Sequence, residues 1–354
     1  MKIFKYQRGE LLTPLFFPDA TKAVVRSVDS QDVIKTKTPG ILVNTLHLYL
    51  DLGEKILKKF KGIGPLMGWP GALISDSGGF QVMSLAKKGS GKVTDEGVSF
   101  FLNKKKKVLL TPEKSIQFQA LLKTDLMVVL DDFTPLTASR KEAEETVRRT
   151  VKWAKRSKEE FEKIYQNQPD RPYLIAVVQG GSFLDLRKEC CWRLAEIGFD
   201  SYGYGGWPMD KEGKFDYISA KIIADNTPKN CFLYGLGIGK PDEVVKLVKL
   251  GYDIFDCVLP TRDARHGRLY VYKAKSMKEI DVHSPKFYQY FSPDKEKNCD
   301  DNRPVSLACD CLLCQNYSRA YLRHLFSIND FSALRLSTIH NLRFYSILME
   351  KLRL

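Results

Sequence analysis

One acidic residue stands where the chain is otherwise apolar. In the stretch Gly251 to Gly267, the run from Ile254 to Leu259 is broken by Asp256, and Pro260, Arg262, Arg265 and Gly267 follow. A carboxylate inside a buried strand is costly unless it has a partner or a task. Two arginines within nine residues downstream suggest that a polyanion comes up to the same place. A second group has metal-ligand spacing. Cys309, Cys311 and Cys314 crowd into six residues, and His340 follows after a gap of 25. Three thiols and one imidazole are a ligand set for tetrahedral zinc, and four protein ligands leave no open position for catalysis, so the expected site is structural. His340 is the expected fourth ligand. His324 competes for that place from within the helical stretch SRAYLRHLFSI, while His47, His266 and His283 receive no metal role.

The elements that must position these groups follow a β-then-α rhythm. Strand candidates are GILVNTLHL, ALISDSGGF, DLMVVLDD, LIAVVQGG, SYGYGG, NCFLYGLGIG and DIFDCVLP, with helical patterns between the later ones. From Leu174 onward the strand starts recur at roughly 25 to 30 residues, as βαβ units require. Seven or so units favour a (β/α)₈ TIM barrel over an open doubly wound sheet. The ends of these strands carry Asp76, Ser77, Asp131, Gln179, Gly205, Gly206, Leu236, Gly237 and Asp256. In a barrel they share one rim, the rim that holds active sites. Three carboxylates, one carboxamide and glycine backbone would converge there.

The catalytic barrel is expected over residues 1–270, with a β-hairpin insertion near 84–110 whose tip carries Lys104 to Lys107. Residues 271–354 are expected to form an irregular extension followed by a small zinc-binding helical subdomain packed on the barrel. The net charge of +14 suggests an acidic partner, with nucleic acid the leading candidate. No stretch has the uninterrupted apolar length of a membrane span. The N-terminal sequence lacks a signal peptide's cleavage pattern, so a cytoplasmic location is expected. In a reducing compartment the eight cysteines are not expected to form a disulfide framework.

Taken together, the motifs resemble one family, the tRNA-guanine transglycosylases. The resemblance rests on Ser75-Asp-Ser-Gly-Gly-Phe-Gln-Val-Met-Ser84, Leu130-Asp-Asp-Phe-Thr-Pro135, Val178-Gln-Gly-Gly181, Phe255-Asp-Cys-Val-Leu-Pro-Thr-Arg262 and the Cys₃His set. It implies exchange of the wobble guanine of tRNAs for a 7-deazaguanine base, either 7-aminomethyl-7-deazaguanine or queuine, with no organic cofactor. It makes Asp256 the nucleophile that attacks the ribose anomeric carbon and Asp76 the general acid/base. Asp131, Gln179 and the Gly206 backbone match the readers of the base edge. Phe80 matches the stacking aromatic, and Ser77, Leu236 and Gly237 belong to the same pocket. Arg262 and Arg265 match residues that read a uracil-guanine-uracil anticodon context. A homodimer is expected, with Tyr317, Tyr321 and His324 as candidate interface residues. The chain departs from the family pattern at Trp207-Pro208-Met209-Asp210, beside the base's 7-substituent, and at Phe133. Two other readings of the barrel are a DNA-directed 7-deazaguanine transglycosylase and a non-catalytic RNA-binding partner subunit. Retention of Asp76, Asp131 and Asp256 counts against the second.

Overall fold

Eight short parallel strands organise the chain in the computed structural model, which describes residues 1–79, 91–102, 106–210 and 212–354. In chain order they are β1 (Leu15–Pro18), β2 (Gly40–Val43), β3 (Ala72–Ser75), β4 (Leu126–Val128), β5 (Tyr173–Val178), β6 (Ser201–Tyr204), β7 (Phe232–Gly235) and β8 (Ile254–Cys257). The order around the sheet is β1, β8, β7, β6, β5, β4, β3, β2, and every pairing is parallel. The two ends meet through a parallel bridge between Asp19 and Leu42. There the Ala20 N–H donates to Leu42 O at 2.7 Å and the Asn44 N–H to Thr21 O at 3.2 Å. The expected barrel is therefore present. Seven of its strands coincide with sequence candidates. The eighth, β1, is four buried residues ending in proline, too short to show a period.

The strands are buried on both faces, and their residues alternate between two cores. Leu15 and Phe17 of β1, Leu126 and Val128 of β4, and Ile254 of β8 fill the lumen. Phe16, Met127 and Phe255, one step along each strand, face the outer helices. Full burial of each such side chain contributes about 1.5–3 kcal/mol. An antiparallel hairpin, Ile3–Tyr6 with Gly9–Leu12, closes the lumen below. Its Phe4 enters the lumen cluster, 5.0 Å from the Tyr173 ring and 6.0 Å from that of Phe232. Lys2 fastens the hairpin through an ion pair to Asp253 at 2.7 Å. With the bottom plugged, only the carboxyl ends of the strands offer a mouth.

Between β3 and β4, the strands Gly91–Thr94, Gly97–Leu102 and Lys106–Leu110 form a three-stranded antiparallel sheet. The expected hairpin is its second and third strands. The tip residues Lys104 and Lys105 lie outside the described residues, as does Phe80. Val98 and Phe100 pack with Leu46, Leu130 and Trp153 into a small third core beside the mouth. The 26-residue helix Arg140–Tyr165 supports this sheet. It starts at a capping box of Ser139 and Glu142, which satisfies orphan N–H groups at its first turn. Its Arg148 and Lys152 bind Asp95, and its Arg156 binds Glu113.

After β8 comes the short helix Leu259–Arg265, then the strand Leu269–Tyr272, paired antiparallel with Tyr288–Phe291. The helices Leu312–Asn316, Arg319–Ser327 and Phe331–Leu352 complete the chain. The last packs on β1 and on the helices Ser30–Lys35, Pro241–Lys249 and Leu259–Arg265, so it occupies the outer layer where an eighth barrel helix belongs. Among the described residues no helix is long and apolar enough to cross a membrane.

Asn341 joins that last helix to the barrel. Its Oδ1 accepts from the Tyr270 N–H at 3.0 Å, and its Nδ2 donates to Pro260 O at 2.9 Å, both in a buried setting, and to the partly buried Arg268 O at 3.0 Å. Replacing it with an apolar residue strands two buried backbone groups and a third that is partly buried. Asn341→Leu is expected to destabilise the protein by about 3 kcal/mol, read as a lowered urea midpoint. An unchanged midpoint would contradict this role.

Candidate active site

Past β1, β2, β3 and β5 the first residue is polar, where the inward-facing side chains of the strand itself are apolar. After β3 that residue is Asp76, and after β2 it is Asn44. Asn44 caps the helix Thr45–Asp51 and donates from Nδ2 to Asp76 Oδ2 at 2.5 Å. The N–H groups of Thr45 and Gly78 donate to Asp76 Oδ1 at 2.9 and 3.1 Å. Burial nevertheless outweighs these donors and raises the carboxyl to about 7, with the negative charge of Asp256 adding to the rise.

Asp256 interrupts β8 between Phe255, which faces outward, and Cys257. Its Oδ1 accepts from the Tyr234 hydroxyl at 2.6 Å and from the Gly237 N–H at 2.9 Å. Among the described residues no hydrogen bond reaches its Oδ2. Burial raises this carboxyl to about 6, against the two donors. The pair is therefore graded. Near neutrality one carboxyl is mostly ionised with an oxygen to spare, and the other is close to half protonated. That combination can attack at one atom and exchange a proton at another.

Next to the strand of Asp76 and across the barrel from Asp256, β4 and β5 supply Asp131 and Gln179. The Thr134 N–H donates to Gln179 Oε1 at 3.0 Å, which fixes the amide so that Nε2 donates to Asp131 Oδ2 at 2.7 Å. Burial raises Asp131 to about 7, with Asp132 contributing and Gln179 opposing. A carboxyl and an amide joined by a hydrogen bond can read the donor and acceptor edge of a heterocycle. Gly206 follows with φ of 87°, a left-handed backbone that glycine adopts without strain. Leu236 reaches over β6 because Gly203 lacks a side chain, since a Cβ there would lie 2.1 Å from Leu236 Cδ1. Gly237 is exposed at the mouth and offers its N–H to Asp256. Ser77 is buried, and its hydroxyl accepts from the Gly79 N–H at 3.2 Å, so it shapes the turn after Asp76.

Arg187 was not legible in the sequence. It lies on the helix Leu184–Ile197 and is buried, where an amphipathic pattern suggests a solvated arginine. Its guanidinium donates to Val178 O and Gly205 O, both at 3.1 Å, and to Gly181 O at 2.8 Å. One cation thus holds together the loops that carry Gln179 and Gly206. The cradle of Asn44 and Thr45, the Tyr234 donor and Asp19 at the end of β1 were also missed. Asn44 has a local signal in the sequence, because it is the first polar residue after the apolar strand β2, which stops at Val43.

Arg262 and Arg265 lie three apart on the helix that follows β8, so they share a helix face beside Asp256. Arg262 is exposed, and Arg265 keeps a buried Nη1 that has no partner among the described residues. Trp207 is exposed and meets the Phe133 ring edge-on at 6.2 Å, with Met209 bridging antiparallel to Phe215.

Behind this helix Cys309, Cys311, Cys314 and His340 come together, all buried, with one ligand atom from each inside a 4.8 Å cluster. His340 Nδ1 lies 3.5 Å from Cys311 Sγ and 3.3 Å from Cys314 Sγ. His340 Nε2 is 2.8 Å from Tyr270 O, so the proton belongs on Nε2 and Nδ1 presents its lone pair to the thiols. A metal ion fits this donor set. The competing His324 is exposed on the helix Arg319–Ser327 and takes no part in the cluster. Tyr317 and Tyr321 stack on each other at 5.2 Å with their rings partly exposed.

Comparison with known proteins agrees with this arrangement. A family model described as Queuine tRNA-ribosyltransferase matches residues 2–354. Proteins named queuine tRNA-ribosyltransferase from Shewanella sp. strain W3-18-1 and Shewanella putrefaciens strain CN-32 are each 39% identical, over 98% of this chain and 88% of their own lengths. The one from Shewanella oneidensis is 38% identical over the same shares. With the graded carboxyl pair at the barrel mouth and the Cys₃His cluster behind it, the chain belongs to the queuine tRNA-ribosyltransferase family, a family of pentosyl-transferring enzymes.

Proposed function

We propose that this protein is a tRNA-guanine transglycosylase that exchanges the wobble guanine of target tRNAs for a 7-deazaguanine base through a covalent link between Asp256 and the ribose. The observation that carries this reading is the contrast between Asp256, with a spare Oδ2 and a carboxyl near 6, and Asp76, with a carboxyl near 7. Cleaving an N-glycosidic bond develops oxocarbenium character, which suits one carboxylate that traps the sugar and one carboxyl that handles the proton. Asp256 Oδ2 bonds to the anomeric carbon as the bond to guanine breaks, and Asp76 delivers a proton to the departing base. The incoming base loses a proton to Asp76, its ring nitrogen bonds to the same carbon, and Asp256 leaves. Two displacements return the original configuration.

The remaining roles belong to the same proposal. The target base leaves its stack and enters the pocket. Asp131, Gln179 and the Gly206 backbone read its edge, Leu236, Gly237 and Ser77 belong to the pocket, and the sequence resemblance supplies Phe80, outside the described residues, as the aromatic that stacks on the base. Arg262 and Arg265 contact the uracil-guanine-uracil context of the anticodon loop. The 7-substituent, aminomethyl or the larger group of queuine, faces the loop Trp207 to Asp210. Zinc suits three thiols and one imidazole, and with four protein ligands it acts as a structural clamp. Two copies associate through the face that carries Tyr317, Tyr321 and His324, in the cytoplasm.

Asp256→Asn is expected to eliminate the denaturant-stable RNA adduct and to lower guanine exchange by roughly a thousandfold or more. An adduct that survives would remove Asp256 from the nucleophile role. The pH dependence has a defined sign. Single-turnover exchange should rise with pH as Asp256 ionises near 6 and fall as Asp76 loses its proton near 7, giving a bell whose limbs belong to the pair. A rate still climbing well above pH 8 would contradict Asp76 as the acid of the first step. Cys311→Ser should lower the zinc bound per chain and the melting temperature together. Full zinc content with unchanged melting would count against the metal assignment.

A further inference from the structure

A third carboxylate stands at the mouth. Asp19 follows β1, whose register sets Phe17 against Asp256 and Pro18 against Cys257. Leu15 and Phe17 fill the lumen, whereas Phe16 and Ala20 pack on the outer side. By that alternation Asp19 faces inward, one layer above the residue that lies abreast of Asp256. The electrostatics agree with this position. The charge of Asp19 helps raise Asp256, and it also acts on Arg265. Asp19 is therefore close enough to both Asp256 and Arg265 for its charge to act on each. The base-edge groups Asp131 and Gln179 stand on β4 and β5, across the barrel. Asp19 is partly exposed and takes one hydrogen bond, from the Thr21 hydroxyl to Oδ1 at 2.5 Å. Among the described residues its Oδ2 has neither a hydrogen bond nor an ion pair.

We propose that Asp19 is the residue by which this site reads the sugar, its free Oδ2 accepting a hydrogen bond from the 2′-hydroxyl of the target nucleotide. The inference rests on the transglycosylase reading above, and the chemistry is direct. Asp256 must lie against the anomeric carbon, and the carbon bonded to it carries the 2′-hydroxyl. An acceptor on the neighbouring strand, on the side away from the base pocket, is placed for that group. A hydroxyl donating to a carboxylate is a charge-assisted bond, and a deoxyribonucleotide has no donor to give. Asp19 thereby makes the site selective for RNA over DNA.

The test uses the full chain and an anticodon stem-loop RNA that carries either guanosine or a single 2′-deoxyguanosine at the target position. The readout is kcat/KM for labelled-guanine exchange by the unaltered protein, Asp19→Ala and Asp19→Asn. The unaltered protein should prefer the ribonucleotide, and Asp19→Ala should shrink that preference by about 10- to 100-fold, the loss falling on the ribonucleotide alone. Asp19→Asn keeps an acceptor without the charge and should retain an intermediate preference. The intrinsic reactivity difference between the two nucleosides is common to all three proteins and cancels when their preferences are compared. Equal falls on both RNAs, as from a purely electrostatic or structural role, would overturn the inference, as would an unchanged preference in Asp19→Ala. If the unaltered protein exchanges guanine in neither RNA, the transglycosylase reading fails and the inference falls with it.

Discussion

A parallel sheet that stays open leaves a row of unpaired backbone groups along each edge, and closing it into a barrel pairs them. The pairing of β1 with β8 on one side and with β2 on the other makes that closure. Closure also decides where chemistry can happen. It sets β8 beside β1 and brings Asn44, at the end of β2, within reach of Asp76, at the end of β3. It leaves a lumen too full of side chains to admit anything, with Phe4 plugging one end. The other end is where polar groups can be held half out of water.

That partial desolvation does the work at the mouth. Asp76, Asp131 and Asp256 are all pushed upward by burial, and each is restrained by a different set of donors. Asp76 has a side-chain amide and two backbone N–H groups, Asp131 an amide, and Asp256 a phenol and one backbone N–H. The donors decide which oxygen is occupied as well as how acidic the group is. For Asp256 both fall on one oxygen, and the proposed chemistry of the residue turns on the other.

Much of this was legible in the sequence, because parallel strands in a barrel end in the same place. Reading the residues that close each strand candidate brought Asp76, Asp131, Gln179, Gly206, Leu236 and Asp256 to one rim. The crowding of Cys309, Cys311 and Cys314 likewise announced a metal cluster, and the fold chose His340 over His324 as its imidazole. What escaped notice lacks a local signature. A four-residue strand buried on both sides has no alternation to detect, so β1 and Asp19 went unseen. Arg187 is one polar residue on a helix until the fold wraps three carbonyls around it. Phe80, expected from the resemblance to stack on the base, lies outside the described residues.

The helix Phe331–Leu352 has a wider consequence. His340 faces the thiols and bonds to Tyr270 O, and the next residue, Asn341, holds Pro260 O at the start of the helix that bears Arg262 and Arg265. On the proposed function, the metal site and the helix that meets the RNA are therefore joined through two adjacent side chains. On that reading, a cell short of the metal would find this protein losing its hold on the nucleic acid while the carboxyl pair stayed intact, a failure of address before a failure of chemistry.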